Sequence, residues 1–149
     1  MNPWEIHPAL VHFPIALLLS ATLVDVVAAW RKREGLAKVG LGLLVAGEVS
    51  ALVAASAGVL AYFTVPTHTE EAHVRMLIHP ALAASALVLY AIVAVRRRRN
   101  WAAIPGKGLV GLSLVAAASL VAAGALGGYL VFHDGVGVTQ RAVQDTHHH

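Results

Sequence analysis

Apolar residues fill four stretches of the chain, Ala9 to Ala29, Leu36 to Phe63, Met76 to Val95 and Leu109 to Phe132, and the polar residues collect between them. Each stretch reaches the ~20 residues that a helix needs to cross a hydrocarbon core. The connections are short, so the pattern predicts an all-α, polytopic membrane four-helix bundle, one transmembrane domain spanning residues 1–146. A phrase also recurs along it. Ile6-His7-Pro8-Ala9-Leu10 stands near the start and Ile78-His79-Pro80-Ala81-Leu82 past the middle, each opening an apolar stretch. The repeat predicts two related helical hairpins, each offering an imidazole at the same place.

Composition agrees with the pattern: 58% of the residues are hydrophobic and 13% charged, too few for a domain whose surface faces water. Charge then sets the expected orientation. Arg31, Lys32, Arg33, Lys38, Arg96 to Arg99 and Lys107 lie in the first and third connections, leaving only Arg75 and Arg141 for the opposite side. Cation-rich loops stay cytoplasmic. Both termini are therefore expected outside a bacterial inner (plasma) membrane. The first apolar stretch lacks a basic leader and a small-residue cleavage pattern, so it reads as a retained helix. Arg96 to Arg99 reads as a stop-transfer anchor against anionic headgroups, and Trp4, Trp30, Trp101, Tyr62 and Tyr129 as interfacial belts. The closing His147-His148-His149 is native or a tag remnant, and is set aside from the site. Nothing in the cation pattern resembles a nucleic-acid surface, which would interleave aromatics with cations on a soluble face.

Cysteine is absent, which removes disulfides, thiolate metal sites, iron–sulfur clusters and covalently attached c-type haem. Any metal or cofactor must then rest on histidine, carboxylate or methionine. Six histidines remain, His7, His12, His68, His73, His79 and His133, and the expected topology places all of them at the outer side. Histidine is both the commonest metal ligand and a frequent axial ligand of haem iron. The alternative use is interfacial, where an amphipathic ring is simply at home. For the repeated pair a shared site is the better reading.

Spacing narrows the ligand. His7 and His12 are five residues apart, which on a helix is roughly 140° of rotation and about 7.5 Å of rise, so a regular helix cannot turn both to one small ion. Pro14 removes a hydrogen bond or bends the helix beside His12, and Pro80 does so beside His79. A wide cofactor contacted at several heights, such as haem b, fits this spread better than a compact ion. Small residues at helical intervals, Gly47, Ala51, Ala54, Ala55 and Gly58 in the second stretch and Ala118, Ala122, Gly124, Gly127 and Gly128 in the fourth, allow close helix approach or clear a slot for a planar ring. Two acids sit inside apolar stretches, where ionisable groups are costly. Glu48 is a proton-relay candidate, or a protonated carboxyl bonded to Ser50, Ser113 or a carbonyl. Asp25 reads as a solvated or salt-bridged structural group near Arg31.

The opening run Ile6-His7-Pro8-Ala9-Leu10-Val11-His12-Phe13-Pro14-Ile15-Ala16-Leu17 resembles the signature of a bacterial four-helix membrane family known as domain of unknown function 2231. The closing Gly127-Gly128-Tyr129-Leu130-Val131-Phe132-His133-Asp134-Gly135-Val136-Gly137-Val138 is similar to that family's end motif. The likeness spans the chain. Members of that family are similar in size and helix count to b-type cytochrome bundles, and the resemblance implies that the histidine roles, as haem or metal ligands, fall on His7, His12 and His79.

The expected function is a membrane b-type cytochrome that holds haem non-covalently and passes electrons near the outer face. His7 and His79 are the expected axial pair, with His12 and His73 serving a second haem or its propionates. The alternative is capture or transport of Zn, Cu or Ni ions by the same histidines. A pH-sensing structural subunit is a third reading. Lipid surrounds all three, and a redox role calls for a partner protein or a quinone; a homodimer fits any of them. No nucleophile with its base, phosphate loop or His-Glu-x-x-His helix argues for a hydrolase.

Overall fold

The computed structural model describes residues 2–65 and 69–137. His68, Arg141, Val138 and the closing histidine triplet lie outside the described residues. The regular structure of the described residues is helical, in five segments: α1 (Pro3–Leu10), α2 (His12–Arg31), α3 (Glu34–Thr64), α4 (Glu70–Arg98) and α5 (Lys107–Phe132).

The first two segments form one apolar span, Trp4 to Arg31, interrupted at Val11. The interruption has a local cause. Pro14 has no N–H, so the carbonyl of Leu10 loses its helical donor four residues on. The ladder resumes on either side, with Val11 N–H donating to His7 O at 3.1 Å and Ile15 N–H to Val11 O at 3.3 Å. At its start, the Glu5 carboxylate accepts from the Asn2 backbone N–H at 2.9 Å, the return half of a capping box, and also from the Asn2 side-chain amide at 3.0 Å. α2 ends at Lys32 in the left-handed conformation, φ +51°, whose N–H returns to Ala28 O. A two-residue turn then starts α3.

Four spans, Trp4–Arg31, Glu34–Thr64, Glu70–Arg98 and Lys107–Phe132, are each long and apolar enough to cross a membrane. The chain is thus an all-helical, multi-pass four-helix bundle in a lipid bilayer. The helices overrun the apolar stretches of the sequence at their polar ends. α4 begins at Glu70, six residues before the apolar stretch, because Thr69 caps it by accepting from Ala72 N–H and because Glu70 and Glu71 suit the positive end of the helix dipole. At 31 residues α3 is ~46 Å long, more than a bilayer's hydrocarbon thickness, and so projects into the headgroups or tilts.

One core joins all four spans. Leu18 and Ala21 of α2, Leu41, Leu44 and Ala51 of α3, Ala86, Tyr90 and Val93 of α4, and Ala116 and Leu120 of α5 are buried together. The closest packing is between α2 and α3, and between α4 and α5. A Cβ at Gly47 would come within 2.6 Å of the Leu18 side chain, so glycine is what lets α2 and α3 approach. Leu23, Leu52, Val53, Val88 and Val121 face outward, where lipid tails are as apolar as they are.

Polar groups pin the core from within. The Tyr90 hydroxyl is fully buried, 2.8 Å from Thr22 Oγ1, and both reach the carbonyl of Leu18. Arg97 is buried too. Its guanidinium pairs with Asp25 of α2 and donates to the carbonyl of Ala37 on α3, tying three helices together at the end opposite the repeated histidines. Gly40 makes room for it, since a Cβ there would overlap the Asp25 carboxylate. Asp25 is therefore salt-bridged as the sequence suggests, although its partner is Arg97 and not Arg31, whose guanidinium lies over the Trp30 ring. Arg97 likewise leaves the expected anchor run. Arg96, Arg98 and Arg99 stay exposed while Arg97 turns inward.

Candidate functional site

The two repeated histidines meet. His7 projects from α1 and His79 from α4, and their ring centroids are 6.1 Å apart with the planes at 81°. The backbones that carry them stay apart, because α1 packs on α2 and α3 and does not approach α4 or α5. The space between the helices is bridged here by the imidazoles.

Each ring is held in the same way by the other long helix beside it. His7 Nδ1 lies 2.8 Å from the carbonyl of Ala54 on α3, and His79 Nδ1 lies 2.9 Å from the carbonyl of Ala123 on α5. A carbonyl can only accept, so Nδ1 carries the proton in both rings. The Nε2 lone pairs then remain open, and neither Nε2 has a hydrogen-bond partner among the described residues. Metal-bound histidines are commonly oriented in this manner, one nitrogen donating to a carbonyl while the other ligates. Four residues beyond each carbonyl stands a glycine. A Cβ at Gly58 would lie 3.0 Å from His7 Nδ1 and Cε1, and one at Gly127 would lie 3.0 Å from His79 Cε1.

The other expected site residues lie elsewhere. His12 begins α2 and is exposed. His73 is exposed in the first turns of α4. His133 stacks on Tyr129, with centroids 4.3 Å apart. No group of three or more His, Asp or Glu able to hold a metal ion occurs among the described residues. Glu48 is half-buried on α3, and its Oε1 is buried without a hydrogen-bond partner among the described residues. Neither expected hydroxyl reaches it: Ser50 donates to Gly47 O and Ser113 to Leu109 O, each on its own helix.

Residues that the sequence did not mark close the histidine end. Arg75 grips Asp134 with two hydrogen bonds of 2.7 Å, and its guanidinium sits 5.1 Å from the centre of the Tyr129 ring. That grip holds the Asp134 carboxyl below its usual pKa. Trp4 Nε1 donates to Gly137 O at 3.2 Å, so the segment after α5 folds back to α1. Gly137 has φ +77°, a conformation that favours glycine. The Asp134 that follows His133 is thus the counter-ion of Arg75.

A multi-pass helical bundle with two facing imidazoles is the class that fold and site define. The chain belongs to the family described as predicted membrane protein (DUF2231), which matches residues 3–140. No curated protein and no solved structure matches it.

Proposed function

We propose that His7 and His79 are the two axial ligands of one non-covalently bound haem b, and that the protein is a membrane electron-transfer component. One observation carries the reading: two imidazoles from different helices lie 6.1 Å apart with both Nδ1–H groups committed to backbone carbonyls. The two rings lie near enough, with their planes at 81°, that both would reach one group held between them. The donor count favours haem over a bare ion. A zinc site takes three or four protein donors, whereas haem brings four nitrogens and asks the protein for two. Held by His7 and His79, such a haem would supply one-electron transfer and leave no position for substrate. The helices orient the imidazoles and fix their tautomer.

The matched arrangements around His7 and His79 support two related hairpins. The cations at the far end support histidines and termini on the outer face of a bacterial inner membrane, where a redox protein or quinone would exchange electrons. Glu48 serves as proton carrier, six residues and so about 9 Å along α3 from Ala54, whose carbonyl holds His7.

The test is the reduced-minus-oxidised visible spectrum of detergent-purified protein from haem-replete cells. The expected result is a low-spin b-type spectrum with sharp bands on reduction, lost in His7→Ala and in His79→Ala. Colourless wild-type protein, with zinc, copper or nickel at one per chain by elemental analysis, would replace haem with the metal-ion reading.

A further inference from the structure

The same short pattern lies opposite each histidine: Ala54-Ala55-Ser56-Ala57-Gly58 on α3 and Ala123-Gly124-Ala125-Leu126-Gly127 on α5. In each, the alanine carbonyl accepts the imidazole Nδ1–H, and the glycine one turn on lies against the ring. Glycines of the same helices elsewhere do not share the role. A Cβ at Gly128 would meet nothing within 4 Å, and one at Gly124 would make only an ordinary contact with Ile15 at 3.7 Å. Helix packing alone therefore does not account for Gly58 and Gly127.

We infer that Gly58 and Gly127 are positioning residues: the missing Cβ lets each imidazole reach the carbonyl one turn earlier, which fixes the Nδ1–H tautomer and frees Nε2 towards the shared site. A helical carbonyl already accepts an N–H from the residue four positions on, so an incoming ring must approach it from the side, past that residue's Cα. A methyl group there stands 3.0 Å from ring atoms that normally keep more distance. The ring has to withdraw, and its bond to the carbonyl lengthens or breaks. Nδ1 then loses its fixed proton and the ring its fixed direction. Losing such an outer partner costs a metal site about 10–100-fold in affinity.

The inference deepens the haem reading, yet its first test needs no haem. In 15N-histidine-labelled protein prepared without haem, ring-nitrogen shifts should show His7 and His79 as Nδ1–H tautomers, each assigned by loss of its signals in the corresponding His→Ala variant. Gly58→Ala should release His7 and leave His79 unchanged; Gly127→Ala should do the converse. Gly124→Ala and Gly128→Ala should change neither. In haem-loaded protein, Gly58→Ala and Gly127→Ala should each weaken haem binding by about 10–100-fold and alter the low-spin spectrum. An Nε2–H tautomer in the wild type would overturn the inference before any glycine variant is made, so a variant that fails to fold cannot shelter it. Unchanged ring shifts in folded Gly58→Ala and Gly127→Ala would overturn it as well. Colourless wild type with tautomers that respond to the glycines would defeat the haem reading alone.

Discussion

The two ends of the bundle handle buried polar groups in opposite ways. At the arginine end, Asp25 and Arg97 meet directly, with the carbonyl of Ala37 taking a further guanidinium N–H. At the histidine end, two imidazoles face each other across helices that stand apart, each held on one nitrogen and open on the other. The opposite charges neutralise one another, with Asp25 Oδ1 left without a hydrogen-bond partner among the described residues; the imidazoles carry no such pairing and leave both Nε2 lone pairs open. The first end ties α2, α3 and α4 together; the second, on the reading proposed above, holds a ligand.

Breaking the comparison at the arginine end should have the largest effect on the fold. Asp25→Asn or Arg97→Met leaves one buried charge without its counterpart, which costs about 3–5 kcal/mol. Thermal or denaturant unfolding in detergent should show that loss. The double variant should recover a good part of it, and strictly additive losses would contradict a direct pairing. At the histidine end, His7→Ala and His79→Ala should abolish low-spin haem while shifting the unfolding midpoint of the haem-free protein by much less than the charge variants do. His12→Ala and His73→Ala, at exposed positions, should keep haem content and spectrum. Equal destabilisation of the haem-free protein at both ends would erase the distinction.

Between the ends, Tyr90→Phe removes the hydroxyl that meets Thr22 and Leu18 O, and should cost about 1 kcal/mol with no change in the haem spectrum. Glu48→Gln should retain fold and haem yet slow electron transfer coupled to proton uptake. Equal loss of folded protein in Glu48→Gln and Glu48→Ala would mark a structural group instead. The smallest effect belongs to Asp134. Its depressed pKa means the folded state binds this proton less readily than the unfolded chain does, so its contribution is present at neutral pH. Acidification through the ordinary carboxylate range, and below it to the folded value, removes that contribution. Asp134→Asn should flatten the acid side of the stability profile by that component and leave the neutral-pH haem spectrum unchanged.

The spans were legible because apolar length is a strong signal, and the break at Val11 because Pro14 lacks a donor. Helix ends were less so: Glu70 and Glu71 are polar, and only the Thr69 cap extends α4 to them. The histidine pair was legible from the repeated phrase alone. Its holders were not, since Gly58 and Gly127 stand among many small residues and a sequence does not show which one lies against an imidazole. A comparison of the two halves could have found them, because alanine followed four residues later by glycine occurs opposite each histidine. Arg97 was hidden inside four successive arginines. Its signal lay in phase: Ala86, Tyr90, Val93 and Arg97 continue one helical stripe, as Leu18, Ala21, Thr22, Asp25 and Ala28 do on α2, and both stripes are buried. Reading each stripe past its last apolar residue leads to the ion pair.

The central claim, that His7 and His79 act as one ligand pair, is tested most directly by haem affinity in the His7→Ala, His79→Ala and double variants. Residues that share one iron are not additive. The account predicts that each single variant loses low-spin haem to a similar extent and that the double variant costs far less than the two losses combined. Full occupancy with an unchanged low-spin spectrum in both single variants would contradict it.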